Sequence, residues 1–261
     1  AASGINPCHC GAPHTQAAFQ RIDADLTRRQ FLGGAAAVLG MFAGFGLAPR
    51  EVRAQAPGQP LLLTHLRLFD GETLSLRDDV DILIEGGRIA ALPRRGQRPA
   101  DTQVIDCGGR AVIPGLIDAH WHATLAGVSQ MVAMTADVGF LHLMAGREAG
   151  ATLMRGFTTV RDVGGPAFGL KMAIDRGVVS GPRIFPSGAM ISQTSGHGDF
   201  RHLHELPRMP GTPPSHIEAS GVAAIADGVD EVLRRTREQL MKGASQIKIM
   251  AGGGVSSLYD P

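Results

Sequence analysis

Two histidines one residue apart, His120 and His122, close an apolar run reading Val112-Ile113-Pro114-Gly115-Leu116-Ile117-Asp118-Ala119-His120-Trp121-His122. Such a run predicts a buried strand that ends at a site. Side chains alternate along a strand, so the two imidazoles share one face and Trp121 takes the other. Two imidazoles one pleat apart can grip a single metal ion; ordinary core histidines are the plain alternative. Lys248 is the second residue that needs explaining, because it stands between Ile247 and Ile249 in another apolar run. An unpaired ammonium there is costly. A snorkelling stem, or an ion pair with an acid such as Asp162, would account for it.

The elements that must carry these residues follow from the pattern. Between residues 61 and 106 the chain reads as short alternating strands at 61–69, 79–85, 88–92 and 103–106, with turn signals at Asp70-Gly71, Gly86-Gly87 and Gly108-Gly109. This predicts a small antiparallel sheet. Beyond the His-x-His strand, helical and strand patterns alternate: helix 141–155 before Gly156, strand 157–162, helix 168–176 before Gly177, strand 183–187, helix 230–242 before Gly243, strand 246–250. The expected architecture is α/β, built from βα units with four parallel strands. The polar stretch 192–220 contains Gly196-His197-Gly198-Asp199-Phe200 and the histidines 202, 204 and 216. Its length and polarity fit a functional loop over the carboxyl ends of the strands, with His202, His204 and His216 as solvated loop residues. Gly252-Gly253-Gly254 would let backbone come close to a ligand, or form a plain flexible loop.

Several of these segments resemble the amidohydrolase superfamily. PGLIDAHWH is similar to its first barrel strand, and LLLTHLRLFDG with DILIEGGRIAAL is similar to its N-terminal β-sandwich segment. TTVRDVGG, SGHGD and QIKIMAGGG resemble the ends of its second, third and fourth strands, most closely in the prolidase-like and imidazolonepropionase-like branch. The resemblance implies a (β/α)8 TIM barrel of which the first four βα units are present, preceded by a small β-sandwich segment. It further implies two divalent metal ions, zinc above others, with His120 and His122 as ligands and Lys248 carboxylated on its amine as the bridging ligand. His197 would line the substrate pocket and polarise a carbonyl. Arg161 would contact substrate or form an ion pair with Asp162. The family's two remaining histidines and its general-base aspartate would lie beyond Pro261. The implied activity is metal-dependent hydrolysis of an amide-type C–N bond in a dipeptide, N-acyl amino acid or lactam. A mononuclear deaminase and a non-catalytic exported fragment are the alternatives, and Lys248 speaks against the first.

A net charge of +1 and 5% aromatic residues give no nucleic-acid footprint, while 44% hydrophobic residues and 35 glycines fit a loop-rich globular enzyme. Cys8, Cys10 and Cys107 make no disulfide framework, and Cys8-His9-Cys10 with His14 matches no standard zinc spacing. Thr27-Arg28-Arg29-Gln30-Phe31-Leu32 precedes an uncharged Gly- and Ala-rich run over 33–49 and the small-residue pattern Ala54-Gln55-Ala56. This resembles a twin-arginine export signal, which implies the export machinery as a partner and a periplasmic address. Pro57 hinders cleavage after Ala56, so cleavage after Ala54 or a retained membrane anchor stays open. Three segments follow: a leader over 1–56, the N-terminal part of a β-sandwich domain over 57–111, and the first half of the hydrolase barrel over 112–261. A complete barrel needs about 250 residues, so the chain is expected to be an incomplete part of its catalytic domain. A homo-oligomer is compatible with the sequence.

Overall fold

The computed structural model describes residues 59–205 and 211–254. The expected leader over 1–56 lies outside the described residues, among which no helix is long and apolar enough to cross a membrane. The chain divides into two compact units. Of the described residues, 59–64 and 81–106 form one, and 65–80 with 107–254 form the other.

The strand expected over 61–69 breaks at His65, whose φ of 50° is left-handed. That reversal leaves β1 (Leu61–Thr64) in the smaller unit and β2 (Arg67–Leu68) in the larger. In the smaller unit β3 (Ile82–Glu85) and β4 (Arg88–Ala91) form a hairpin through Gly86 and Gly87, at φ 57° and 75°. A tight hairpin turn of this kind needs positive φ at both central residues, which glycine adopts freely. β5 (Gln103–Asp106) then pairs parallel with β1, giving the order β4-β3-β1-β5. The sheet is therefore mixed and not antiparallel throughout. The connection over 92–102 crosses from one edge to the other, so β4 and β5 run in the same direction. Leu62, Ile82 and Leu83 are its buried side chains.

In the larger unit β6 (Ala111–Val112) pairs with β2, and the chain re-forms as β7 (Leu116–Trp121) after Pro114-Gly115. A Cβ on Gly115 would collide with the Thr158 side chain, so the neighbouring strand passes close only because no side chain stands there. A short helix, α1 (Gln130–Thr135), follows and was not expected from the pattern; Ser129 caps it. α2 (Val138–Met154) starts at Asp137, whose carboxylate accepts from the Gly139 and Phe140 amides, and ends at Gly156 with φ 95°. β8 (Phe157–Asp162), α3 (Phe168–Asp175) and β9 (Arg183–Pro186) complete a parallel sheet of order β7-β8-β9. Trp121, Val160 and Ile184 point from these strands into a core shared with Ala145 and Ala149 of α2 and Leu170 of α3. Burial of a Val or Ile contributes about 1.5–3 kcal/mol, and a one-residue slip would turn the whole set outward.

The chain resumes after Gly188 as β10 (Met190–Ser192), the centre of a second parallel sheet. The long stretch behind it holds a 3-10 turn at Leu203–Glu205 and α4 (His216–Ala219). β11 (Ala223–Ile225), α5 (Val229–Met241) and β12 (Ile249–Met250) follow, in the sheet order β11-β10-β12. Six short parallel strands thus stand where four were expected. The two additions are β10, which starts beyond the expected third strand after Gly188, whose φ is 74°, and β11, whose residues Ala223–Ile225 are too few and too small in their side chains to announce a strand.

Candidate metal centre

The end of β7 is irregular: its register against β8 shifts between Asp118 and Trp121, where the Asp118 carboxylate accepts the His120 amide at 2.9 Å. His120 is exposed, and His122, one residue past the strand, is half-buried. Their rings lie side by side, centroids 5.3 Å apart and tilted by 60°, while Trp121 is buried on the helix side. The Nδ1 of His122 lies 3.1 Å from the carbonyl oxygen of Gly164. A carbonyl only accepts, so Nδ1 carries the proton and the lone pair of Nε2 is left for another partner. Burial lowers the His122 pKa, the Gly164 carbonyl opposes that, and the neighbouring His120 and Lys248 lower it further. The neutral imidazole so favoured is the form a metal requires.

Asp162, at the end of β8, is fully buried. One carboxylate oxygen accepts the Ala123 amide at 2.7 Å and the other the Gly164 amide at 3.2 Å. Burial pushes its pKa up to about 7 against the pull of those two amides. It is therefore the ion-pair partner of neither Arg161 nor Lys248. The Arg161 Nε donates instead to the Ala119 carbonyl at 2.7 Å. Val160 faces the helix-side core, as Trp121 does on β7, so Arg161 and His120 stand on the opposite face of the sheet.

Lys248 immediately precedes β12 and is half-buried; its carbonyl accepts the Ile191 amide at 2.9 Å. Its charge reaches His122. Gln246, two residues earlier, donates from its side chain to the Asp162 and Phe185 carbonyls at 3.1 and 2.9 Å, tying this segment to the ends of β8 and β9. Among the described residues no three His, Cys, Asp or Glu side chains are grouped so as to hold a metal ion, so the donor set consists of two imidazoles with a lysine nearby. Its chemistry fits a divalent ion: one ring is exposed, and the other has its second nitrogen tethered to a carbonyl, as metal-bound histidines do.

His197 sits in the tight loop after β10. Its Nδ1 is buried without a hydrogen-bond partner among the described residues, and its ring meets Phe200 edge-on at 6.4 Å. The loop is held by a bidentate pair, Asp199 to Arg201 at 2.6 Å on both oxygens, with the Ser195 amide 2.8 Å from Asp199. Burial raises the Asp199 pKa, but Arg201 and the Ser195 amide outweigh it and hold the carboxyl below its ordinary value. His202 and His204 stack at 5.3 Å, and Glu205 accepts the His202 and His216 amides, which makes this trio part of a loop framework. A groove of about 200 Å³ beside Phe200 is lined by Leu125, Ala133, Met134, Ile217 and Val222, with Gln130 at its edge.

Pattern reading missed Asp162 and Gln246 as organisers of the site, although an acid followed by Val163-Gly164-Gly165 at a strand end was a visible signal. Residues 111–261 match the amidohydrolase family. The ochratoxinase of Aspergillus niger is 42% identical over 112 residues, 41% of this chain and 23% of that enzyme. A prolidase complexed with N-methylphosphonate-L-proline aligns with a TM-score of 0.69 at 38% identity, covering 78% of this chain and 49% of the other. A Xaa-Pro dipeptidase with methionine bound in its active site aligns with a TM-score of 0.63 at 30% identity, covering 76% and 48%. The chain spans under a quarter of that curated relative and about half of each of these solved structures. By that match, which takes in more than half of its length, the chain belongs to the amidohydrolase family.

Proposed function

We propose that the protein is a binuclear metal-dependent hydrolase of amide-type C–N bonds, acting on a dipeptide, an N-acyl amino acid or a lactam. The observation that carries this reading is the His120–His122 pair, with His122 tethered through Nδ1 to Gly164 and its Nε2 left for a ligand. The prolidase, dipeptidase and ochratoxinase relatives support the substrate class. In this reading the two parallel sheets are part of a (β/α)8 barrel preceded by a β-sandwich segment, and the remaining ligands and general base belong to other parts of the protein. An export signal of the twin-arginine type would send the folded, metal-loaded protein to the periplasm, or leave it membrane-anchored if the signal is retained.

His120 and His122 would hold one ion, and carboxylated Lys248 would bridge it to a second, zinc being the best fit to imidazole and carboxylate donors. When bound, the ions supply Lewis acidity that makes water nucleophilic and polarises a carbonyl. Carboxylation joins the neutral Lys248 Nζ to carbon dioxide through a new C–N bond with loss of one proton. It converts a cation that no carboxylate of Asp162 neutralises into an anion beside two imidazoles. His197 would orient the scissile carbonyl. Arg161, its Nε engaged by Ala119 on the His120 face, would turn its terminal nitrogens to a substrate carboxylate. The groove beside Phe200 would receive an apolar substituent.

Elemental analysis of the full chain, purified with bicarbonate, tests the reading together with Lys248→Ala. Close to two equivalents of metal, falling sharply in the variant, are expected. One equivalent indifferent to Lys248→Ala favours the mononuclear deaminase, and a metal-free protein overturns the hydrolase assignment.

A further inference from the structure

We propose that Asp162 is a positioning residue that sets the tautomer and aim of His122 by clamping the backbone on both sides of it; the inference rests on the reading of His122 as a metal ligand. One oxygen takes the amide of Ala123, the residue directly after His122. The other takes the amide of Gly164, whose own carbonyl receives the His122 Nδ1 proton. The clamp is thus a closed path: Asp162 to Ala123, along the chain to the His122 ring, across to Gly164, and back to Asp162.

The side-chain chemistry explains why a carboxylate is kept in a fully buried position with no cation on it among the described residues. Both of its partners are N–H donors, and only a group with two acceptor oxygens satisfies both. An asparagine would turn an NH2 group toward one of them, leaving two donors face to face. Gly164 completes the device. Its φ is 158°, and an added Cβ would stand 2.5 Å from Met190 Cγ and 3.2 Å from His122 Cε1, so glycine is what lets this carbonyl reach the ring. The main chain of Asp162 extends the control to the other side of the centre. Its carbonyl accepts the Gln246 side chain at 3.1 Å, two residues ahead of Lys248.

The test is Asp162→Asn in the full chain. Imidazole ¹⁵N NMR of the metal-free protein reads the His122 tautomer directly, and competition with a chromophoric chelator reads zinc affinity. The wild type should show His122 protonated at Nδ1. The variant should show a substantial Nε2–H population and zinc binding weaker by about 10–100-fold, as for other partners of metal-bound histidines. An unchanged tautomer with unchanged zinc affinity in a folded Asp162→Asn protein overturns the proposal. Should that variant fail to fold, Gly164→Ala breaks the same path from its other end with Asp162 intact. It should produce the same tautomer change, and a wild-type spectrum there also overturns the clamp. If the tautomer shifts as expected while the wild type binds no zinc, the clamp stands and the hydrolase reading is what fails.

Discussion

Two aspartates, Asp162 and Asp199, are both nearly closed to solvent, Asp162 the more deeply set of the two, and they do opposite things with their charge. Asp162 ends β8 and Asp199 stands in the loop after β10, and each lies near a histidine that the sequence marks for chemistry: His122, which follows β7 and reaches across to Gly164, and His197, in the same loop as Asp199. Among the described residues the Asp162 carboxylate meets only backbone amides, and burial pushes it up to about 7. Asp199 meets the guanidinium of Arg201 in a two-pronged pair, and it stays below the ordinary carboxylate range in spite of its burial. The difference is reflected in the histidines. His122 is tethered to the carbonyl of Gly164, the residue whose amide Asp162 accepts, so its free nitrogen is aimed in advance; among the described residues the Nδ1 of His197 has no partner, and its loop is kept in shape by an ion pair that leaves the ring alone. Low exposure alone therefore does not fix the electrostatics; depth and the charge of the partners decide it. In the proposed reading, the ring that would bind metal is held through neutral dipoles, and the ring that would meet substrate is held by the shape of its loop.

The comparison breaks most visibly at Arg201. Arg201→Leu leaves Asp199 buried without its cation, which in other proteins costs about 3–5 kcal/mol. Urea unfolding should show a loss of that size. A loss below about 1 kcal/mol would mean that the pair behaves like an exposed one, against its 2% and 5% side-chain exposure.

Opposite shifts give opposite pH dependences, each with slope of at most about 1.4 kcal/mol per pH unit. The Asp162 pKa is raised on folding, so the native state holds its proton longer than the unfolded chain. Its contribution is complete below about pH 4 and is lost as the pH rises toward about 7. The Asp199 pKa is depressed, so its contribution is present above the unfolded value and lost as the pH falls through the folded one. Stability of the metal-free protein, compared with Asp162→Asn and Asp199→Asn between pH 3 and 8, should show the first variant flattening the neutral limb and the second the acid limb. Parallel curves for all three proteins would remove the distinction.

Much of this arrangement was legible where it is local. β8 runs over the residues its pattern marked, 157–162, and α2, α3 and α5 stop at the glycines that marked them. The His-x-His spacing and the odd lysine were visible for the same reason: each is a violation of the apolar pattern around it. What was not legible depends on partners far along the chain. Asp162 and Ala123 are 39 residues apart, and Gln246 and Asp162 are 84 apart. From sequence alone Asp162 reads as a counter-ion for Arg161 or Lys248, because a sequence displays charges and not the backbone amides that meet them. The break at His65 was hidden by an apolar pattern that runs through it, since a single left-handed residue leaves no mark on hydropathy.

His197→Ala probes the untethered half of the comparison. Removing a ring whose Nδ1 is buried and unpartnered deletes an unsatisfied group along with some packing against Phe200, so thermal stability should change little. Hydrolysis of a dipeptide should fall by about 10²-fold if the ring orients the scissile carbonyl, the loss typical of one positioned hydrogen-bond donor. Undiminished turnover would return His197 to the loop framework.

The smallest change is also the most local. A Cβ on Gly254 would overlap the His197 ring, whose Cε1, Nδ1 and Nε2 are the three atoms nearest to it, while Asp199 is held by Arg201 and the Ser195 amide. Gly254→Ala should therefore push the ring aside while the loop beneath it keeps its ion pair. A displaced orienting group costs rate without costing fold, and the expected loss is on the order of tenfold in kcat. Zinc content should stay unchanged, because His122 is aimed by Asp162 and Gly164 and owes nothing to Gly254. If the alanine lowered metal content and rate together, the two histidines would belong to one coupled device, and the division between an aimed ring and a waiting one would have to be given up.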